Sequence, residues 1–222
     1  MTKHYPYQYF NKLSPDDLRE IESTYKNIQY KRKENIIKEG EPVQFISFLA
    51  EGYCKKQILF RNNHYTIDVI SPGSLIGFPY VLLEPTYSYS IVALSDCRLA
   101  MYDINVFRSI LKKNNSLALH VIEEATKKCN NQRLHHIQTI NNNILGRVAM
   151  LILYLFGDIF KSKQFNMLIS RYDIAQLTGI SRENVSKALN ELHRKKYVEL
   201  KNKQIHILQP EKLEALINPT GE

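Results

Sequence analysis

The chain has 222 residues, 44% of them hydrophobic, and 30 Lys plus Arg against 22 Asp plus Glu, for a formal charge of +8 and a pI of about 9.2. That apolar share excludes a disordered chain and fits one large or two modest domains, while the basic balance favours a polyanionic partner without identifying it. Three cysteines without C-x-x-C spacing suggest neither a disulfide framework nor a thiolate metal site; the N-terminal stretch lacks the apolar core of a secretion signal, and no run of about 18 apolar residues calls for a membrane. A cytoplasmic protein is expected.

In chain order, Ser14 as an N-cap, Pro15 at the first helical position and acids in the first turn predict a helix over 14–26. From about Ile28 to Tyr102 come short runs rich in β-branched and aromatic residues: FISFLAEG, YCKKQILF, HYTIDVI, SYSIVAL and CRLAMYD. Turn signals at Gly40, Gly52, Arg61-Asn62-Asn63-His64, Pro72-Gly73 and Gly77 punctuate them, the pattern of one all-β roll or barrel. NVFRSILKKN, 105–114, reads as a brief helix leading away from it.

Residues 116–142 read as one long helix. Ala118, Ile122, Ala125, Cys129, Gln132, His136 and Ile140 follow one another at intervals of three and four, close to a heptad seam with polar interruptions. A two-helix interface is its natural use; the alternative is packing on the chain's own β domain. NILGRVAMLILYLFGDIF, 143–160, is apolar nearly all round and predicts a buried helix. After a KSKQF loop, NMLIS reads as a short strand, and Ser170-x-x-Asp173 as a capping box opening the helix RYDIAQLT, which Gly179 ends. Ser181 caps the helix in ISRENVSKALNEL, and KYVELKNKQIHIL is a hairpin around Lys201-Asn202-Lys203. Helix, tight turn, helix, hairpin is the winged helix-turn-helix arrangement.

The second helix of that unit divides its faces. Val185, Ala188, Leu189 and Leu192 share one face, while Arg182, Glu183, Ser186, Lys187 and Asn190 fall within about 140° on the other at about 100° per residue. Such a helix fits the major groove of double-stranded DNA, where Arg donates to guanine O6 and N7, Glu accepts from cytosine N4, and Ser or Lys reach bases or phosphates. Arg182, Glu183, Ser186 and Lys187 are therefore the expected base readers. Ser170, Arg171 and Ser181 near the helix starts, with Lys201 and Lys203 on the hairpin, are the expected phosphate contacts. Residues 161–203 hold ten Lys or Arg and four acids, a net +6 of the chain's +8.

SRYDIAQLTGISRENVSKALNEL and its hairpin, behind a glycine-punctuated β-roll and a long helix, resemble the Crp/Fnr family of bacterial transcription regulators from about residue 28 to 208. The resemblance implies an α+β fold: an N-terminal cyclic-nucleotide-binding-type β-roll (1–115), a long dimerisation helix (116–142) and a C-terminal winged helix-turn-helix (143–222). It implies a homodimer joined through Ala118, Ile122, Ala125, Cys129, His136 and Ile140, on a palindromic site with recognition helices about 34 Å apart. Gly40-Glu41, Gly52, Gly73 and Gly77 match structural glycines and their neighbours. Arg182 and Glu183 match the family's base-reading pair, whereas Lys187 falls where the cyclic AMP receptor protein has an arginine, so the preferred bases near it differ. By family position, residues 157–166 are a candidate contact for RNA polymerase.

The effector positions depart from the family. Gly77-Phe78 stands where cyclic-AMP binders place Gly-Glu for the ribose, Tyr87-Ser88 where they place Arg-Ser for the phosphate, and Gln132-Arg133 where they have Thr-Ser toward the adenine. Burying a phosphate without its cation costs several kcal/mol, so cyclic AMP is not expected in the usual way and the small-molecule effector is unidentified. Phe78, Pro79, Tyr80, Tyr87 and Tyr89 line an apolar pocket or fill the roll with side chains, filling being preferred. Residues 1–53 contain no cysteine, against the iron–sulfur cluster of the family's oxygen sensors. His64 and Cys97, the imaginable haem ligands, read as surface and core residues, and Cys129 as a small buried one. No nucleotide loop, nucleophile elbow or H-E-x-x-H motif occurs, so neither catalytic nor metal residues are expected. The competing readings are a winged-helix protein-interaction module and a haem- or redox-sensing regulator of the same fold.

Overall fold

A computed structural model of the chain describes residues 10–76, 82 and 84–217. It divides into two compact units, Met1–His64 with Asp68–Asn131, and Tyr65–Ile67 with Gln132–Glu222. The first unit opens with helix α1 (Pro15–Glu22), shorter than the expected 14–26. The Ser14 hydroxyl accepts from Asp17 N and starts the helix as expected. It ends at Ser23 because Lys26 already belongs to strand β1 (Lys26–Tyr30).

Seven more strands follow: β2 (Asn35–Ile37), β3 (Phe45–Glu51), β4 (Cys54–Phe60), β5 (Asn63–Ile70), β6 (Leu75–Ile76), β7 (Ser90–Ala93) and β8 (Cys97–Asp103). They form two four-stranded sheets, ordered β1-β8-β3-β6 and β2-β7-β4-β5. Arg61 and Asn62, at φ 48° and 64°, make the two-residue turn between β4 and β5, a left-handed pair that matches the strand twist. Central strands β3 and β8 are buried nearly along their length, with Ile46, Phe48, Leu49 and Leu99, and Ile91 of β7, almost wholly buried. Phe10, Phe48 and Tyr102 meet edge-on, with ring centroids 5.0–6.0 Å apart. Each such side chain contributes about 1.5–3 kcal/mol by leaving water.

Helix α2 (Ile104–Lys113) is capped by the Asp103 carboxylate and buries Phe107 and Ile110. Helix α3 (Asn115–Asn141) then runs for 27 residues. Its first turns bury Leu117 and Val121 in the roll's own core.

In the second unit, helix α4 (Ile144–Tyr154) passes into a π-helical turn, Leu155–Phe160, which Lys161 ends at φ 51°. The sequence pattern read 143–160 as one uniform helix; the wider turn lets Leu155 and Ile159 both stay buried. Strand β9 is Gln164–Asn166, earlier than the NMLIS run expected at 166–170. Phe165 decides the register: it is buried, lies opposite Ile205 and stacks on Phe160 at 4.6 Å.

Helices α5 (Arg171–Thr178) and α6 (Arg182–Arg194) and strands β10 (Val198–Lys201) and β11 (Gln204–Ile207) come next. The sheet is three-stranded, β10-β11-β9, where the sequence suggested a two-stranded hairpin. A last helix, α7 (Pro210–Ile217), packs on α4 at Gly146, where a Cβ would lie 2.7 Å from Leu216 O. No helix among the described residues is long and apolar enough to cross a membrane.

Candidate nucleic-acid interface

Three local devices position the helix pair. The Ser170 hydroxyl accepts from Asp173 N at 3.1 Å, and Asp173 Oδ2 accepts from Ser170 N at 2.8 Å and from the Ser170 hydroxyl at 2.6 Å, the expected capping box. Gly179 ends α5 at φ 67°, a left-handed conformation that costs glycine nothing. The Ser181 hydroxyl accepts from Asn184 N at 3.2 Å and starts α6.

α6 is held from below. Val185, Ala188, Leu189 and Leu192 are each no more than 3% exposed. At about 1.5–3 kcal/mol for each large apolar side chain, this burial fixes which way the helix faces. Arg182, Glu183, Lys187 and Asn190 are exposed on the other side, and Ser186 is half-buried between them. All four expected base readers thus lie on one helix, three of them exposed and Ser186 half-buried.

The Glu183 carboxyl is held below the usual carboxylate range, first by its own backbone N–H at the helix start, then by the Ser181 hydroxyl, with Arg182 and Lys187 adding. It is therefore an anion at the first turn of α6. Basic residues gather at the opposite end: Arg194 complements the last-turn carbonyls, and Lys195 pairs with Glu191 at 2.9 Å.

The expected phosphate contacts divide into two kinds. Arg171, Lys201 and Lys203 are exposed cations. Lys203 sits with Asn202 in a two-residue turn at φ 64° and 48°, and Lys201 pairs with Gln204 at its base, so the wing presents both lysines on a defined loop. Ser170 and Ser181 act as caps: the Ser170 hydroxyl donates to Asp173 Oδ2 and the Ser181 hydroxyl accepts from Asn184 N, and both residues are exposed at the starts of α5 and α6.

Effector and helix-face residues complete the placement. Gly77 and Phe78 lie outside the described residues, as do Pro79 and Tyr80. Tyr87 is buried and donates its hydroxyl to Phe45 O at 3.2 Å; burial pushes the phenol up to about 12, with Glu41 and Tyr30 contributing. It meets Tyr89 edge-on at 5.8 Å, and the Lys56 ammonium lies 4.1 Å from the Tyr89 ring centroid. Ser88 is exposed, and so does not converge with Tyr87 on one site. Gln132 and Arg133 are exposed on α3.

Along α3, Ile122, Cys129, His136 and Ile140 are exposed, Ala118 is half-buried and Ala125 packs against the roll core. The open face is thus rotated from the expected seam: Leu119, 62% exposed, and Ile137, 52% exposed, join it, and Ala125 leaves it. Leu119, Ile122, Cys129, His136 and Ile140 keep heptad intervals that the sequence contained but that the smaller alanines obscured. Cys129, expected to be buried, is exposed on the chain.

Two family models match the chain: a cyclic nucleotide-binding domain over residues 27–114 and a Crp-like helix-turn-helix domain over residues 146–216. A CRP-like cAMP-activated global transcriptional regulator of Mycobacterium tuberculosis is 24% identical over 215 residues, covering 92% of this chain and 93% of that protein. FixK2 from Bradyrhizobium japonicum superposes with a TM-score of 0.78 at 18% identity, over 86% of this chain and 96% of that one. A transcriptional regulator of the crp/fnr family from Eubacterium rectale gives a TM-score of 0.75 at 19% identity, over 96% and 98%. At these identities the structural likenesses establish the fold.

Proposed function

The chain belongs to the Crp/Fnr family of transcription regulators, and from that premise we propose that it acts as a cytoplasmic homodimer on a two-fold symmetric operator. Arg182, Glu183, Ser186 and Lys187 read base edges in the major groove, and Arg171, Lys201 and Lys203 hold phosphates. The observation carrying this reading is the division of α6 into a buried apolar face and an exposed polar arc. Two copies meet along the apolar side of α3 at Leu119, Ile122, Cys129, Ile137 and Ile140, with His136 among them. Large exposed aliphatic side chains at heptad spacing favour this use, since the interface removes them from water.

The effector acts on the β-roll and differs from cyclic AMP clamped by an arginine, because a buried tyrosine and an exposed serine stand at the clamp positions. It changes DNA affinity only by binding two states of the dimer unequally. RNA polymerase is a further proposed partner at residues 157–166, where Lys161 and Lys163 are exposed. Selection of bound fragments from a random duplex pool tests the reading. It predicts enrichment of an inverted repeat with half-sites about 10 base pairs apart, centre to centre; recovery of unrelated fragments with no shared motif would overturn it.

A further inference from the structure

The three cysteines divide into one exposed thiol, Cys129, and two buried in the roll. Cys54 opens β4 and Cys97 opens β8, 43 residues apart in sequence, yet their Sγ atoms lie 3.6 Å from each other. The approach depends on Gly52, at φ +86°, where a Cβ would lie 2.7 Å from Cys97 Sγ and 2.2 Å from Asp96 O. Cys97 Sγ also sits 3.2 Å from Ser95 O and 3.4 Å from Tyr53 O. Tyr53 N in turn donates to the Ser95 hydroxyl at 2.9 Å, so the β3–β4 and β7–β8 turns hold the two sulfurs together. Asp96, next to Cys97, is exposed, while the pair itself is buried, Cys54 wholly and Cys97 to within 3%.

We propose that Cys54 and Cys97 are a reactive dithiol that peroxides convert to an intramolecular disulfide, Cys97 attacking and Cys54 resolving. The roles follow from position: Cys97 follows the exposed Asp96, whereas Cys54 is wholly buried. Sharing a proton within the pair holds Cys97 below the usual thiol range, while the same contact and burial push Cys54 up. The thiolate is the nucleophile, so Cys97 reacts first.

Cys97 sulfur attacks one oxygen of the peroxide; the O–O bond breaks, and the departing alkoxide takes the proton that Cys97 released, leaving as an alcohol. Cys97 is now a sulfenic acid. Cys54 sulfur attacks it, the S–O bond breaks, and hydroxide leaves with the Cys54 proton as water. The two thiols lose two electrons and two protons, and the peroxide is reduced to alcohol and water. Closing the bond requires the sulfurs to approach from 3.6 Å to about 2.05 Å.

This chemistry belongs to the roll and stands apart from the DNA-binding reading. The test uses the full chain carrying Cys129→Ser, which removes the exposed thiol and its intermolecular reactions. After one equivalent of hydrogen peroxide, alkylation in denaturant and peptide mapping, the expected product is a single species joining the Cys54 and Cys97 peptides, lighter by two hydrogens and cleaved by dithiothreitol. With Cys54→Ser added, dimedone traps a sulfenic acid on Cys97; with Cys97→Ser instead, Cys54 gives no adduct. Recovery of both cysteines as separate alkylated peptides, after peroxide that oxidises a thiol peptide in the same tube, overturns the proposal. Should Cys54→Ser fail to fold, the linked peptide of the Cys129→Ser protein decides alone.

Discussion

Ser170 and Asp173 share three hydrogen bonds across the first turn of α5: serine accepts from the aspartate amide, and the carboxylate accepts from the serine amide and hydroxyl. Because the serine caps the helix there, replacing Ser170 should act on the fold more than on DNA. Ser170→Ala is expected to lower stability by about 0.5–2 kcal/mol in urea unfolding while leaving the salt dependence of DNA binding unchanged. A flatter salt slope at unchanged stability would return Ser170 to the phosphate contacts.

The phosphate contacts proposed for the wing lysines rest on charge. Lys201→Ala should weaken all duplexes alike and reduce the slope of log affinity against log salt by about one. Fluorescence anisotropy titrations on two unrelated duplexes at several salt concentrations check both parts.

On α3, Ile140 is 59% exposed in the single chain. Ile140→Asp places a carboxylate in the proposed helix pair. It is expected to convert a dimer to a monomer in light scattering and to forfeit the roughly 10²–10⁴-fold gain of joined half-sites. A wild-type chain already monomeric at the same concentration would contradict the interface.

Two glycines of the roll separate backbone strain from crowding. Gly40 and Gly52 both sit at φ +86°, but a Cβ at Gly40 meets nothing within 4 Å and one at Gly52 meets Asp96 O at 2.2 Å. Gly40→Ala should cost about 1–2 kcal/mol, the left-handed penalty alone, and Gly52→Ala a further 1–3 kcal/mol or more for overpacking. Thermal unfolding of the two variants ranks them.

The recognition unit could be read from the sequence because its determinants are local. Ser170, Asp173, Gly179 and Ser181 each act within a few residues, and the period of Val185, Ala188, Leu189 and Leu192 reports a buried face directly. What escaped depends on distant partners. β6 has two residues and exists only through its pairing with Phe48 and Ser47. β9 takes its register from Ile205, and the meeting of Cys54 with Cys97 joins two turns far apart in the chain. The open face of α3 was misjudged by one alanine, since spacing alone does not say that Ala125 faces the roll while Leu119 faces out. The effector positions stayed obscure for a chemical reason: Tyr87 is a sound core residue, and nothing in its type distinguishes filling a roll from lining a pocket.

If the exposed arc of α6 reads base identity as proposed, Arg182 at its N-terminal end is the residue able to donate bidentately to guanine. The decisive measurement is the affinity of wild type and Arg182→Ala for a selected operator and all its single base-pair variants. The account predicts that the variant loses about 1–3 kcal/mol on the operator and its discrimination at one base pair in each half-site, while preferences elsewhere persist. An unchanged preference at every position, with or without weaker binding overall, would contradict it.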